Sequence, residues 1–524
     1  MSVSEKTKER ASLRARAEAG DPQAQLELGR LLYLGDDVPL DREQASLWIE
    51  RSASGGNPDA MYILGRMLKE GPDGPGSGYS WLSLAVEAGH AEAAAELARM
   101  HLLGQGAQKD AALAFGLFAR AARDGHAQAA YNMGLMCLGG HGTEQDPEAA
   151  FGWFRSAAVA GFPRAMLSTG QMLFTGEGTE IDFLEAREWF EKAADEGIPA
   201  ADFYLGILHE EGYGVPRDTD KALGYYKHAS LKGHPKARYY LGMRYLRGQG
   251  VPADPEEALF WLRKAADDGY HHAYHDLGRL YFEGIGTDRD HRLAIHYLGL
   301  ALENGIGQAA GPLSSIYLEG QDVPRDYALA RAHAETGAAA GSPEAILNLG
   351  IIHFKGLGCR RDCEQAIGLI QKAAALGSAD ALYHMGSMHY EGGCFTQSYG
   401  LAHEYFRQAS LAGSKKGSLW LGVMLLNGQG TERDPEAGLS LVREAALAGD
   451  PEGMYLMGCA LLNGLGPISL PSAGLAWLEK AAKAGNLKAL TELAAREGRD
   501  DPDGDPNPPA MPGGGGDRCQ ATLP

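Results

Sequence analysis

Apolar residues along this chain return in short helical runs set in pairs. Residues 235–270 read PKARYYLGMRYLRGQGVPADPEEALFWLRKAADDGY. Ala237, Leu241 and Tyr245 stand four apart, and after the stretch GQGVPAD the apolar spacing resumes at Ala258, Trp261, Leu262 and Ala265. Steps of three and four place such residues on one face of a helix, and the Gly-Pro-Asp interruption has turn composition. The segment therefore predicts two antiparallel helices, A and B, each with one buried face.

The same unit recurs with a step of 36 residues. Gly134, Gly170, Gly206, Gly242, Gly278, Gly350, Gly386, Gly422 and Gly458 lie on one lattice, and Ser314 fills the empty slot between them. A second lattice runs unbroken from Gly161 through Gly305 to Gly485. A fixed period of this length marks stacked helical units, each burying its face against its neighbours. The second lattice falls where helix B must stop, so its glycines predict left-handed C-caps. The first falls inside helix A, where glycine costs up to about 1 kcal/mol. Repetition of that cost predicts close approach of the partner helix. Asp146-Pro147, Asp254-Pro255 and Asp434-Pro435 supply an N-cap and a proline at the first position of helix B. Asn57-Pro58, Ser342-Pro343 and Asp450-Pro451 do the same for helix A.

The recurring pattern A-x3-LG-x2-Y-x2-G-x-G, then D-x3-A-x2-W/Y-x3-AA-x2-G, resembles the Sel1-like repeat, a relative of the tetratricopeptide repeat. The resemblance covers nearly the whole chain. It implies an all-α fold: a right-handed α/α superhelical solenoid of about 13 helix-turn-helix repeats of 36 residues. It also implies a non-enzymatic scaffold or adaptor that holds a protein or peptide partner in its concave groove, with no cofactor. Bacterial members assemble complexes in signalling, envelope biogenesis or host interaction. The alternative is a penicillin-binding or β-lactamase-like hydrolase, as described for cysteine-rich members that join helix B of one repeat to helix A of the next through a Cys pair. The matching positions here hold Ala266 and Tyr274, and Ala194 and Asp202, a departure that weakens this alternative.

In the family, helix A lines the concave side, so its variable positions become the candidate partner contacts. Counted from the lattice glycine, these stand two before, one after and five after, and share one stripe. They give Tyr204, Ile207, Tyr240, Met243, Arg247 and Arg279, then Asn348, His384, Trp420 and Asn427, with Glu211, Asp276, Glu283, Ile351, Lys355, Ser387, Glu391 and Val423 in the same rows. Tyr204, Tyr240 and Trp420 exceed what the repeat itself requires, and Tyr, Trp and Arg dominate binding hot spots.

The organisation along the chain follows. Residues 1–20 form an N-terminal capping helix, 21–305 repeats one to eight, and 306–341 a degenerate repeat nine. Residues 342–485 form repeats ten to thirteen, 486–497 a closing helix, and 498–524 a tail of Pro, Gly and Asp expected to be disordered. In repeat nine, Pro312 predicts a shortened helix A, read either as a bend between two solenoid halves or as drift.

A net charge of −20 disfavours nucleic acid and anionic membrane as partners. One basic stretch, Lys227, Lys232, Lys236, Arg238, Arg244 and Arg247, either meets an acidic peptide or is a solvated face. No secretory signal opens the chain and no run of 18 apolar residues suggests a membrane span. Six cysteines make no disulfide scaffold, so a cytoplasmic location is expected. Cys359, Cys363 and Cys394 lie in the loops of adjacent repeats. Helices stacked roughly 8–10 Å apart are too far for a disulfide without adjustment, so free thiols are expected. Cys137 and Cys459 read as small buried residues on helix A. His271, His272, His275 and Asp276 lack a further ligand at metal spacing. His101, His209, His353 and His389 replace the tyrosine of other repeats and read as packing substitutions.

Overall fold

The computed structural model describes residues 3–34, 40–72, 74–464 and 471–497. Among them are 28 α-helices, numbered α1–α28 in chain order, and no strand. The tail 498–524 lies outside the described residues. The chain divides into two compact units, Met1–Ala253 and Asp254–Pro524. Unit 1 holds α1 (Val3–Glu18) through α14 (Pro235–Arg247), and unit 2 holds α15 (Pro255–Asp267) through α28 (Leu487–Glu497). After α1, even-numbered helices open each repeat as helix A and odd-numbered helices close it as helix B. The division falls in the loop of repeat seven, and repeat nine lies inside unit 2.

Most of these helices are 13 residues long because their ends are specified chemically. Asp146 is the N-cap of α9 (Pro147–Val159), its carboxylate accepting from the Ala149 amide at 2.9 Å, and Asp326 caps α19 (Tyr327–Ala339) on the Leu329 amide at 2.9 Å. Each such cap contributes about 1 kcal/mol. Helix B is then stopped by a glycine at positive φ, +86° at Gly161 and +89° at Gly377, as its lattice predicts.

Close approach explains the mid-helix glycines. A Cβ on Gly206 would stand 2.6 Å from the Tyr226 ring, and one on Gly386 would stand 2.6 Å from Phe406. In each case a buried aromatic ring of helix B sits on the bare backbone of helix A. Repeat nine inverts this pair: Ser314 replaces the glycine, and Ala334 replaces the bulky residue 20 positions on. Both are fully buried. The hydroxymethyl gained on helix A is smaller than the ring lost from helix B, so this pair fills less volume than its counterparts.

The loop between helices A and B lies across the first residue of helix B in the preceding repeat. A Cβ on Gly142, Gly178 or Gly430 would meet the carbonyl oxygen of Ala111, Pro147 or Tyr399 at 2.1, 2.2 and 2.2 Å. Each pair is separated by 31 residues. Two repeats fill this junction differently. Asp322 takes the loop position against His291, with Oδ2 3.4 Å from Nδ1. Cys394 takes it against Cys363, the first residue of α21 (Cys363–Ala375), and the two are disulfide-bonded with Cα atoms 5.6 Å apart. The expectation of free thiols is therefore corrected for this pair. Spacing between helix axes was the wrong ruler, because the bond joins a loop to a helix start that the loop already touches. Cys359 and Cys137 are free, and Cys137 is buried.

Repeat nine keeps its fold with a shorter helix A. A 3-10 turn, Gly307–Ala309, precedes α18 (Ala310–Glu319), which has 10 residues. Pro312 lies in the first turn of α18, where a missing amide breaks no helical bond. Gly311 lets α20 (Pro343–Lys355) approach, since a Cβ there would sit 3.1 Å from Cβ of Glu344.

Candidate functional site

The short, small-residue helix of repeat nine leaves space that the other repeats fill. In unit 2 a cleft of about 1020 Å³ opens along α16 (His272–Glu283), α18, α20 and α22 (Ala379–Glu391). α20 runs through it. Glu344, Leu347, Asn348, Ile351 and Lys355 all face the cleft, as steps of three and four along one helix require. At 1.5 Å per residue, Glu344 and Lys355 are separated by about 16 Å along the helix axis.

Repeat position decides where the cleft is. The row two residues before the lattice site reads Tyr204 and Tyr240, then Asp276, Pro312, Asn348 and His384, then Trp420. Pro312, Asn348 and His384 line the cleft. Where the row is a large aromatic, the half-buried ring packs against neighbouring rings. Tyr204 stacks on Phe190 at 4.9 Å, Tyr240 meets Phe203 edge-on at 5.2 Å, and Trp420 meets Tyr390 edge-on at 5.2 Å.

The floor of the cleft is a polar relay. Asn348 Nδ2 donates to the Gly311 carbonyl at 3.2 Å and to Ser315 Oγ at 2.9 Å. Ser315 Oγ donates to Glu344 Oε1 at 3.0 Å. Burial pushes the Glu344 carboxyl above the ordinary range, against the opposing pull of the Ser315 hydrogen bond and the Arg279 charge. Arg279 is itself paired with Glu283, at 3.1 Å through Nε and 2.5 Å through Nη2. His384 is pushed down to about 4, first by burial and then by the positive charge of Lys416, with Asp380 opposing. It is therefore a neutral imidazole at physiological pH.

Of the residues predicted from sequence, the cleft gathers Arg279, Asn348 and His384, together with Glu283, Ile351 and Lys355. It does not include Trp420 or Asn427, which lie on α24 (Lys415–Asn427), nor the unit 1 residues. There Ile207 and Tyr240 pack against the buried Phe203–Tyr226 cluster, Met243 is half-buried and Arg247 is exposed. The basic stretch is largely engaged inside unit 1. Arg244 is 5% exposed and ion-paired with Glu210, Lys232 reaches Asp202 at 3.3 Å, and Lys236 lies over the Phe203 ring. Sequence reasoning missed Glu344, Ser315 and Tyr383. Glu344 reads as an ordinary first-turn acid, and Ser315 belongs to a repeat that looks merely degenerate.

Among the described residues, no group of three or more His, Cys, Asp or Glu side chains is arranged to hold a metal ion. No helix among them is long and apolar enough to cross a membrane.

The Sel1 repeat model matches thirteen consecutive stretches, the first at 22–57 and the last at 451–486. Among solved structures, the chain is similar to the c5321 protein of uropathogenic Escherichia coli, described as a protective antigen displaying an SLR fold. Identity is 29%, the match covers 80% of this chain and 90% of that one, and the TM-score is 0.61. A Sel1 repeat protein from Oxalobacter formigenes shares 31% identity over 61% of this chain and 91% of its own, with a TM-score of 0.43. No curated protein matches the chain in sequence.

Proposed function

The chain belongs to the Sel1 repeat family, and from that premise we propose that it is a non-enzymatic adaptor holding an extended segment of a partner protein in the cleft of unit 2. The observation that carries this reading is the cleft itself. It follows one face of α20 for about 16 Å, the span of roughly five extended residues at about 3.3 Å each. At about 1020 Å³ it stands at the upper end of the range of roughly 300–1,000 Å³ usual for small-ligand pockets. Polar and apolar side chains alternate along it, as recognition of a peptide requires.

The test compares capture of partners by the native chain and by an Asn348→Ala, Ile351→Arg double variant, with Arg247→Ala as the unit 1 control. A partner lost by the folded double variant and retained by the control supports the cleft. Loss with Arg247→Ala alone moves the binding face to unit 1.

The compartment belongs to the same reading. Cysteine usage pointed to the cytosol, whereas the Cys363–Cys394 bond favours an oxidising compartment, because cytosolic thiols are kept reduced. Acid-quenched maleimide trapping in intact cells separates the two: both cysteines protected means oxidising, and both labelled restores the cytosol.

A further inference from the structure

Several recessed carboxylates elsewhere on this chain hold a cation. Glu96 pairs with Lys69 and Arg99, Asp202 with His228 at 3.1 Å and Lys232 at 3.3 Å, Glu210 with Arg244, and Glu452 with Lys488 at 3.2 Å. Glu344 is recessed in the cleft and holds none among the described residues. Its side chain has one hydrogen bond, from the neutral hydroxyl of Ser315. Among the basic groups lining the cleft, Arg279 is turned to Glu283 and the His275 ring lies 3.6 Å from Asp276, while Lys355 and Lys416 form no ion pair with Glu344.

A structural role for Glu344 exists, since an acid in the first turn of α20 faces the positive end of the helix dipole. Two other first-turn acids, Asp59 and Glu92, do this from water, whereas Asp202 and Glu452, also in first turns, are recessed and each reach a lysine. The side chains of Asp59 and Glu92 are 53% and 57% exposed. The helix end accounts for an acid at this position and leaves its burial in a cleft without a counter-ion unexplained. A buried charge is stable when paired.

Resting on the adaptor reading above, we propose that the partner segment supplies the missing cation: a lysine or arginine side chain that enters the cleft and pairs with Glu344. The same helix face sets what accompanies it. Leu347 and Ile351 follow Glu344 by three and seven residues, about 5 and 10 Å along the axis, and Leu318 lines the same cleft. In an extended segment, these distances correspond to an apolar side chain two or three residues from the basic one. A chain of net charge −20 also steers a basic segment toward it.

The probe is a fluorescent, acetylated and amidated Arg-Gly-Leu-Leu-Gly peptide, titrated to millimolar concentration on the full chain beside its Glu-for-Arg counterpart. The expected result is at least tenfold preference for the arginine peptide. Glu344→Gln, which keeps the shape and the Ser315 contact, abolishes that preference in a variant whose melting temperature does not fall. Ile351→Arg weakens binding by blocking the cleft. Preference for the glutamate peptide, an arginine preference unchanged in Glu344→Gln, equal binding by free argininamide, or no binding at all each overturns the proposal. Ile351→Arg tells the failures apart. Binding indifferent to it removes the cleft reading, whereas binding that needs Ile351 but ignores Glu344 removes only the cation.

Discussion

Tyr240 of unit 1 and His384 of unit 2 occupy the same place in the repeat, two residues before the lattice glycine, and meet different fates. Tyr240 joins a ring cluster with Phe203 and Tyr226, the latter two both fully buried. His384 borders open space with Asn348 and Pro312. The helices around them share length, caps and glycine lattice. At these two places a large ring goes with a packed wall and a smaller polar residue with a cleft. This changes what a large residue there means. A surplus aromatic read from sequence as a contact also packs, in unit 1, against neighbouring rings. The smaller residues Pro312, Asn348 and His384 line the open space.

The largest expected effect tests the packed side. Beneath Tyr240, Tyr226 Oη donates to Glu210 Oε2 at 2.7 Å, and Glu210 pairs with the buried Arg244, whose guanidinium lies over the Tyr226 ring at 5.1 Å. Glu210→Ala strands that guanidinium and costs about 3–5 kcal/mol. Hydrogen exchange on the full chain should show the loss concentrated in α12 (Pro199–Glu211) to α14, because repeat proteins couple mainly to nearest neighbours. A uniform loss over both units would remove the claim that unit 1 is held locally.

Next comes the staple beside the cleft. Closing a loop of 31 residues, the Cys363–Cys394 bond contributes about 2–4 kcal/mol by restricting the unfolded chain. Cys363→Ser with Cys394→Ser should lower protection in α21 and α22 and leave α12–α14 untouched. A smaller effect separates packing from contact. Tyr240→Ala should cost about 2–3 kcal/mol while leaving affinity for a cleft-bound peptide within twofold. A large affinity loss without destabilisation would return Tyr240 to the binding face.

Much of this was legible in the sequence because it is periodic. The helix pairs, the caps and the glycine approach all repeat, so each position is read many times over. The candidate cleft was only half legible. Arg279, Asn348 and His384 follow from the helix-A stripe, but the opening depends on Pro312 and Ser315, which depart from the pattern. Glu344 was missed because a first-turn acid is common and its burial is a tertiary fact. The disulfide was readable in principle. Cys363 and Cys394 are 31 residues apart, the same step that joins each loop glycine to the first residue of the preceding helix B, and His291 and Asp322 fill that step with a polar pair.

The smallest effect concerns acid, and its sign divides the cleft from the wall. A histidine whose folded value is lowered binds fewer protons folded than unfolded. Its contribution is fully present above the ordinary value of about 6.5 and is lost as pH falls through the folded value. For His384 that window runs from about 6.5 to about 4. Partial exposure screens the effect to the order of 1 kcal/mol. Glu344 acts in the opposite sense, because its raised carboxyl is relieved by protonation as pH falls. His209 of unit 1, stacked on Tyr225 at 5.6 Å and lowered first by burial, has no raised acid beside it to compensate. Exchange protection measured from pH 7 to pH 4 should therefore fall in α12 more steeply than in α22. Glu344→Gln should steepen the fall in α22 toward that of α12, since it removes the compensating acid and leaves His384. If α22 is unchanged by Glu344→Gln, the two groups do not oppose each other across the cleft, and the recessed carboxylate is already neutral in the free protein.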